Sequence, residues 1–542
     1  MANVILLQSP PPKLEEIQKT IFSKGANDFL ESLHKKFSGN IEKLYTNRLR
    51  RSVEIKLKCT LTFGNSPERN DKAWSIAPLP SRLLNRHLDL GDVSASNTAH
   101  FVSALNENVQ GVQVDFDDGH CPTWKNQLLA YQNINLAVNG KLLGAPVNIA
   151  MCPILMLRPR AWNMIEHNIL INGEEAIGAL VDFGILMYHN ARQLQEANSG
   201  PYFYLSKLEG ASEAKLWNDI FVWSQLQLGL PQGTIKACVL IENIVSTFEL
   251  DEILYALREH SLGLNCGIWD YCASIVTKFG HNKEFLLPDR NKYVNMERDF
   301  LNNYMLLVIK TCHDRGAPAT GGMAAAMLKP GSDGTDNESK VVISKILDAK
   351  MKEIEMGVDG FMVYDTRTVQ HINRLWKNYG DTPNQINKKL SVLVTAESLL
   401  TIPRGGVTMQ GLRHNVAISI LFVYHWLAGV GHFFYNGNVE DSATAEISRC
   451  QVWQWIRFAA PLEDDPIERV TAKLVEKISS NFASHAHSQL CRSSGERKRL
   501  TAARYMCTEL FLARTPPDFI TTYLNDGHKF RTLHNKALLS NL

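Results

Sequence analysis

Apolar and polar positions alternate in three textures along the chain. Between residues 13 and 60, Ile17, Ile21, Phe22, Phe29, Leu30, Leu33 and Phe37 recur at helical spacing with charges between them, which predicts amphipathic helix. The stretch 65–100 is rich in turn formers. From about residue 110 to 370, short apolar runs alternate with longer helix-like stretches. The runs are 111–116, 147–152, 178–183, 202–205, 237–241, 262–267, 317–320 and 360–364. Eight such runs alternating with helices over about 260 residues predict an α/β fold, a (β/α)8 TIM barrel, which typically needs about 250 residues. After Asp381 the pattern is helical. The predicted organisation is an N-terminal helical segment (1–105), a TIM barrel (106–385) and a helical C-terminal domain (386–542).

One stretch tests this reading. Asn415 to Asn438 has no Asp, Glu, Lys or Arg and approaches the length of a membrane span, about 18 residues. His425, His432, Gly429 and Gly431 interrupt it, so a buried core helix running into a loop is the better expectation, with no membrane partner. Composition changes the picture little. Lys and Arg total 57 against 55 Asp and Glu, so no basic field points to nucleic acid. The ten cysteines are scattered and often lie inside apolar runs, which reads as reduced, buried thiols. The N-terminal residues carry no basic region before their short apolar stretch, so a secretory signal is not expected.

In a barrel, reactive groups lie at the carboxyl ends of the strands. The residues at or just after the runs are Asp115, Asp117, Asp118, Arg158, Asp182, Lys207, Glu242, Asp270 and Asp365. Dinucleotide, Walker and Gly-x-Ser-x-Gly motifs are absent. His485, His487 and Cys491 lack the further ligands of a zinc cage, and the basic clusters 48–51 and 497–499 read as solvated helix faces. The strongest signal is the run Glu259-His-Ser-Leu-Gly-Leu-Asn-Cys-Gly-Ile-Trp-Asp-Tyr271. Gly263 and Gly267 allow close backbone approach to a ligand, Trp269 can wall a pocket, and Asp270 sets a carboxylate beside exposed backbone. Glu242 ends the preceding strand. Two carboxylates on adjacent strand ends, with no Cys or His beside them, suit a hard, oxygen-binding cation such as Mg²⁺.

The core of that run, Gly-Leu-Asn-Cys-Gly-x-Trp-Asp-Tyr, closely resembles the malate synthase signature. Val439-Glu-Asp-Ser-Ala-Thr-Ala-Glu-Ile-Ser-Arg449 is similar to the C-terminal motif of the same family. Further similarity lies in 115–118, 200–205, 233–236, 251–254, 310–313 and 321–325. The resemblance spans nearly the whole chain and fits the shorter A-type members. It implies a Mg²⁺-dependent Claisen condensation of glyoxylate with acetyl-CoA, then hydrolysis to malate and CoA, as in the glyoxylate bypass. It further implies Asp441 as the base that removes an acetyl methyl proton and Arg158 as the cation facing the enolate, with Arg160 as fallback. Glu242 and Asp270 match the metal ligands. Gly263, Leu264, Gly267, Trp269 and Asp270 would surround glyoxylate, partly through backbone amides. Asp441 would come from the helical C-terminal domain and cover the barrel mouth.

Some positions depart from the family pattern: 362–367 at the eighth strand, Asn436-Gly-Asn-Val before Glu440, and the loop 94–100. Two other readings stay open at this point. One is a malyl-CoA lyase or thioesterase of the same barrel superfamily; the other is a catalytically silent CoA-binding homologue. Ser540-Asn541-Leu542 resembles a peroxisomal (glyoxysomal) address with its middle residue replaced; a cytoplasmic enzyme is the alternative. Homo-oligomer assembly is left open.

Overall fold

A computed structural model describes residues 5–465 and 467–525. Eight parallel strands close into a barrel: β1 (Leu88–Val93), β2 (Gly111–Asp115), β3 (Ile154–Arg158), β4 (Tyr202–Leu205), β5 (Lys236–Ile241), β6 (Ser261–Cys266), β7 (Ala319–Ala324) and β8 (Gly360–Val363), with β8 pairing back onto β1. Strands buried on both faces read as largely apolar runs, and β5 and β6 are buried along their whole length. The long helix α1 (Lys24–Lys58) packs outside the barrel against α2 (Gly178–Glu196).

Two predicted strands are corrected. The run 178–183 is the start of α2, because an apolar segment buried all round carries no periodicity to tell helix from strand. The run 147–152 ends in a short 3₁₀ turn, and the strand follows Pro153 as β3. The missing strand is β1, Leu-Asp-Leu-Gly-Asp-Val, whose two aspartates and glycine disguise it. Its place at 88–93 puts barrel structure inside the segment expected to be N-terminal helix (1–105). The basic cluster 48–51 is also corrected. Arg48 is buried, binding Glu213 Oε1 and Oε2 at 2.7 Å each and the Lys207 carbonyl at 2.8 Å, and Arg51 pairs with Glu249.

Beyond the barrel, α3 (Ile268–Phe279), which follows β6, packs against a C-terminal unit containing α4 (Met409–Trp426) and α5 (Ser442–Arg457). Helix α4 is the uncharged stretch of the sequence; it ends at Trp426, and no helix among the described residues is long and apolar enough to cross a membrane. Helix α5 is a seam. Ile447, Cys450 and Trp453, three residues apart, join the barrel core, whereas Ala445, Val452 and Trp455 join the core of the C-terminal unit. Polar ties reinforce it: Gln454 Nε2 donates to the Phe285 carbonyl (2.7 Å) and Trp455 Nε1 to the Leu287 carbonyl (2.8 Å). All ten cysteines are free and nine are buried. The tripeptide 540–542 lies outside the described residues.

Candidate active site

The carboxyl end of the barrel gathers charge. Arg158 ends β3 directly opposite Asp115, the last residue of β2, and is 3% exposed. Its Nε donates to Asp115 Oδ1 (2.8 Å), its Nη1 to Asp118 Oδ2 (2.9 Å) and its Nη2 to Asp92 Oδ1 (3.3 Å) and to Asp115 Oδ2. A buried guanidinium held this way is fixed in orientation and stays charged. Arg160, two residues on, points elsewhere. It is consumed by Asp182 (2.8 Å) and Glu166 (2.9 Å), so Asp182 belongs to a structural pair on α2.

A second group lies beside it. Asp118, Glu242 and Asp270 each present an oxygen within 4.8 Å of the others, and all three are buried. Lys207 Nζ lies among them, 2.8 Å from Asp118, 3.3 Å from Asp270 and 2.7 Å from Asp117. The Lys207 backbone N–H donates to Glu242 Oε1 (2.7 Å). Both Asp270 carboxylate oxygens are buried without a hydrogen-bond partner. Burial pushes Glu242 up to about 7 against the pull of Lys207, and burial pushes Asp270 well above the usual carboxylate range, also against Lys207. Three crowded carboxyl groups, Asp270 without a hydrogen bond to either oxygen, share one ammonium, with one guanidinium reaching Asp118. That donor set, all oxygen and without soft ligands, fits a hard divalent cation.

The signature run lies where β6 turns into α3. Asp270 sits in the first turn of α3, where the N–H groups of Ile268, Trp269 and Asp270 have no intrahelical partner and no side chain caps them. At Gly267 a Cβ would press on Glu242 Cβ at 3.0 Å. Gly263 and Leu264 serve the barrel instead. Gly263 has φ 81° and a Cβ there would strike the Pro318 carbonyl at 1.8 Å, and the Leu264 N–H donates to that carbonyl at 3.2 Å. At these two positions the backbone is engaged in strand packing. The Gly267 N–H is likewise taken, by Tyr304 Oη at 3.0 Å. Trp269 is half-buried and stacks under Arg290, whose Cζ is 4.9 Å from its ring centroid.

Asp441 arrives from the C-terminal unit. A hairpin, Phe433–Tyr435 with Asn438–Glu440, docks on the segment after β7, with Val439 N–H on the Ala325 carbonyl (2.9 Å) and Met327 N–H on the Gly437 carbonyl (2.8 Å). Its turn residues Asn436 and Gly437 both have positive φ, 48° and 78°, the backbone that Asn-Gly favours in tight hairpins. Asp441 then caps α5. Its Oδ1 accepts from Thr444 N–H (3.0 Å) and its own N–H donates to Thr444 Oγ1 (3.0 Å). The next residue, Ser442, donates to Asp118. Asp118 thus touches Arg158, Lys207 and the start of α5 at once. Burial, then the charge of Asp118, pushes the Asp441 carboxyl up.

The structure therefore brings Arg158, Glu242, Asp270 and Asp441 to one mouth. Sequence reasoning noted Lys207 as a strand-end charge and Asp118 as one within the family-like run 115–118, gave neither a role, and gave none to Asp92 or Ser442. The doublet Asp117-Asp118 after a strand was the available signal for Asp118.

Fold and mouth together define a TIM-barrel enzyme with three clustered carboxylates just beyond its strand ends and a further carboxylate from an added helical unit. Residues 154–402 match the family model "Malate synthase, TIM barrel domain", and residues 406–527 match "Malate synthase, C-terminal". The malate synthase of Myxococcus xanthus is 39% identical over 456 residues, 83% of each chain, and the glyoxysomal malate synthase of Brassica napus is 34% identical over 550 residues, 97% of this chain and 96% of its own. A solved magnesium/glyoxylate complex of Haloferax volcanii malate synthase is similar at 12% identity and a TM-score of 0.40, over 78% of this chain and 98% of its own. The chain belongs to the malate synthase family, acyltransferases that condense glyoxylate with acetyl-CoA.

Proposed function

We propose that the mouth works as two parts of one catalyst. Asp441 takes a proton from the acetyl methyl group, and the C–H electron pair passes into the enolate. A carboxylate is a weak base for carbon, with an ordinary value near ~3.9; burial beside Asp118 makes this one stronger. Arg158, fixed by Asp92, Asp115 and Asp118, faces the developing enolate oxygen in a buried site, where preorganised charge acts strongly. The enolate carbon then attacks the glyoxylate aldehyde carbon, and water cleaves the resulting malyl-CoA to malate and CoA.

Asp118, Glu242 and Asp270 would hold Mg²⁺, with Glu242 and Asp270 as the ligands the sequence pointed to. When bound, the ion supplies positive charge that polarises the aldehyde. The free amides at the start of α3 orient the glyoxylate carboxylate. The observation that carries this reading is the contact of Asp118 with Arg158, Lys207 and Ser442, which joins the strand-borne carboxylates to the residue beside Asp441. Thiol release from acetyl-CoA tests it. Release should require glyoxylate and stop with EDTA; release without glyoxylate, or unaffected by EDTA, would refute it. The name of the Brassica relative supports a glyoxysomal location for this chain, which a fluorescent fusion compared with and without residues 540–542 would test.

A further inference from the structure

Asp92 has no part in the chemistry above except to hold Arg158, yet its placement is unusual. It is 3% exposed and its φ is 54°, a backbone that few residues besides Gly, Asn and Asp adopt. The β1–β2 register breaks between Leu90 and Val93, so a local irregularity aims this side chain into the mouth. Its N–H donates to Gln113 Oε1 (3.3 Å) and its Oδ1 accepts from Arg158 Nη2 (3.3 Å). Its Oδ2 is buried and has no donor among the described residues. The group within hydrogen-bonding reach is the Asp441 carboxyl.

A buried carboxyl group in contact with a half-buried one does not leave both ionised. The charged groups facing this pair are Asp115, Asp118, Glu440, Arg158 and Arg290, two cations among three further acids, and Tyr364 stands close to Asp92. Burial, then the charge of Asp441, pushes Asp92 well above the usual carboxylate range, and a hydrogen bond from Asp92 acts in the opposite direction on Asp441. An ionised Asp92 would leave two anionic oxygens pressed together. A protonated one turns the unpartnered oxygen into a donor.

We propose that Asp92 is a positioning residue for the base: its carboxyl donates a hydrogen bond to the Asp441 carboxylate while its other oxygen holds the Arg158 guanidinium. Base and enolate-stabilising cation are thereby set against each other by one side chain. Asp92 keeps its proton throughout; the methyl proton goes to Asp441 and the electron pair stays with carbon. The inference rests on Asp441 being the base.

The test uses the full chain with Mg²⁺, acetyl-CoA and glyoxylate. Asp92→Gly suits the left-handed backbone and removes the donor. Its kcat should fall about ten- to hundredfold, the worth of a hydrogen bond to a charged group, while both KM values move less than about threefold. Asp92→Asn tolerates the same backbone, donates through its amide and accepts from Arg158 through its carbonyl, so it should recover about tenfold of that loss. A Gly variant with undiminished kcat, a loss confined to KM, or an Asn variant no better than Gly would each overturn the proposal. Asp441→Asn measured alongside separates the two readings: if it keeps most of the rate, the base assignment itself has failed, whatever Asp92 does.

Discussion

The barrel and the C-terminal unit contribute to the same mouth in opposite ways. The barrel supplies a crowd: Asp92, Asp115, Asp118, Arg158, Lys207, Glu242 and Asp270 are each 4% exposed or less and are locked to one another. The C-terminal unit supplies one half-buried carboxylate, Asp441, held by a helix cap and reached through a hairpin. Eight parallel strands can hold many like charges rigidly because the sheet fixes the strand ends, and Arg158 and Lys207 bridge several of the acids at the rim. A group that must accept a proton gains from standing apart, on an element that can approach substrate from above. On the proposed mechanism, binding charge and moving a proton are assigned to different parts of the chain.

The sharpest way to break that division is Asp441→Asn. It should lower kcat by about a thousandfold, within the range seen for a lost general base, while Mg²⁺ and glyoxylate still bind by calorimetry. Arg158→Met attacks the barrel side. It should cost about a hundredfold in kcat, the scale of losing one preorganised charge, and should also loosen Asp92 and Asp115, visible as a lower melting temperature.

How far the sequence exposes this division depends on where each residue sits. The β5 and β6 runs read as strands because both faces are buried; Glu242 follows β5 directly and Asp270 comes four residues after β6, in the first turn of α3. Asp441 was legible only through its motif, since a lone Asp before a helix is ordinarily just a cap, and here it is a cap as well. β1 was not legible because function has written into it: Asp89 pairs with Arg86, Asp92 turns to the mouth, and a strand carrying two buried acids no longer looks like one. Helix α2 and the lost run at 147–152 restored the expected count of eight by accident. Gly263 looked like a ligand glycine because packing against a neighbouring strand leaves the same signature as packing against a ligand.

The seam can be tested separately from the chemistry. Trp453→Ala removes the barrel-facing indole of α5, whose Nε1 donates to the Ala513 carbonyl (2.8 Å), and should cost about 3–5 kcal/mol in urea unfolding. Activity should fall with stability and recover where the fold is retained, unlike Asp441→Asn.

The smallest effect concerns pH. Glu242 is raised to about 7, above its unfolded value of about 4.3, so its neutral form favours the folded state at low pH and that advantage is lost as pH rises through 7. In EDTA, wild-type melting temperature should therefore drop between pH 4.5 and 7 by about 2 °C more than that of Glu242→Gln. Added Mg²⁺ at pH 8 should raise the wild type and not the variant. Equal pH slopes would mean that the carboxylate cluster carries no strain for a cation to relieve.

The central claim, that strands and added helical unit converge on one cation-bound substrate, is tested most directly by a crystal structure with Mg²⁺ and glyoxylate. The account predicts an ion at about 2.0–2.1 Å from oxygens of Glu242 and Asp270, glyoxylate between it and Arg158, and the Asp441 carboxylate on the open side of that glyoxylate. An ion bound elsewhere, or glyoxylate with Asp441 turned away from it, would contradict the account.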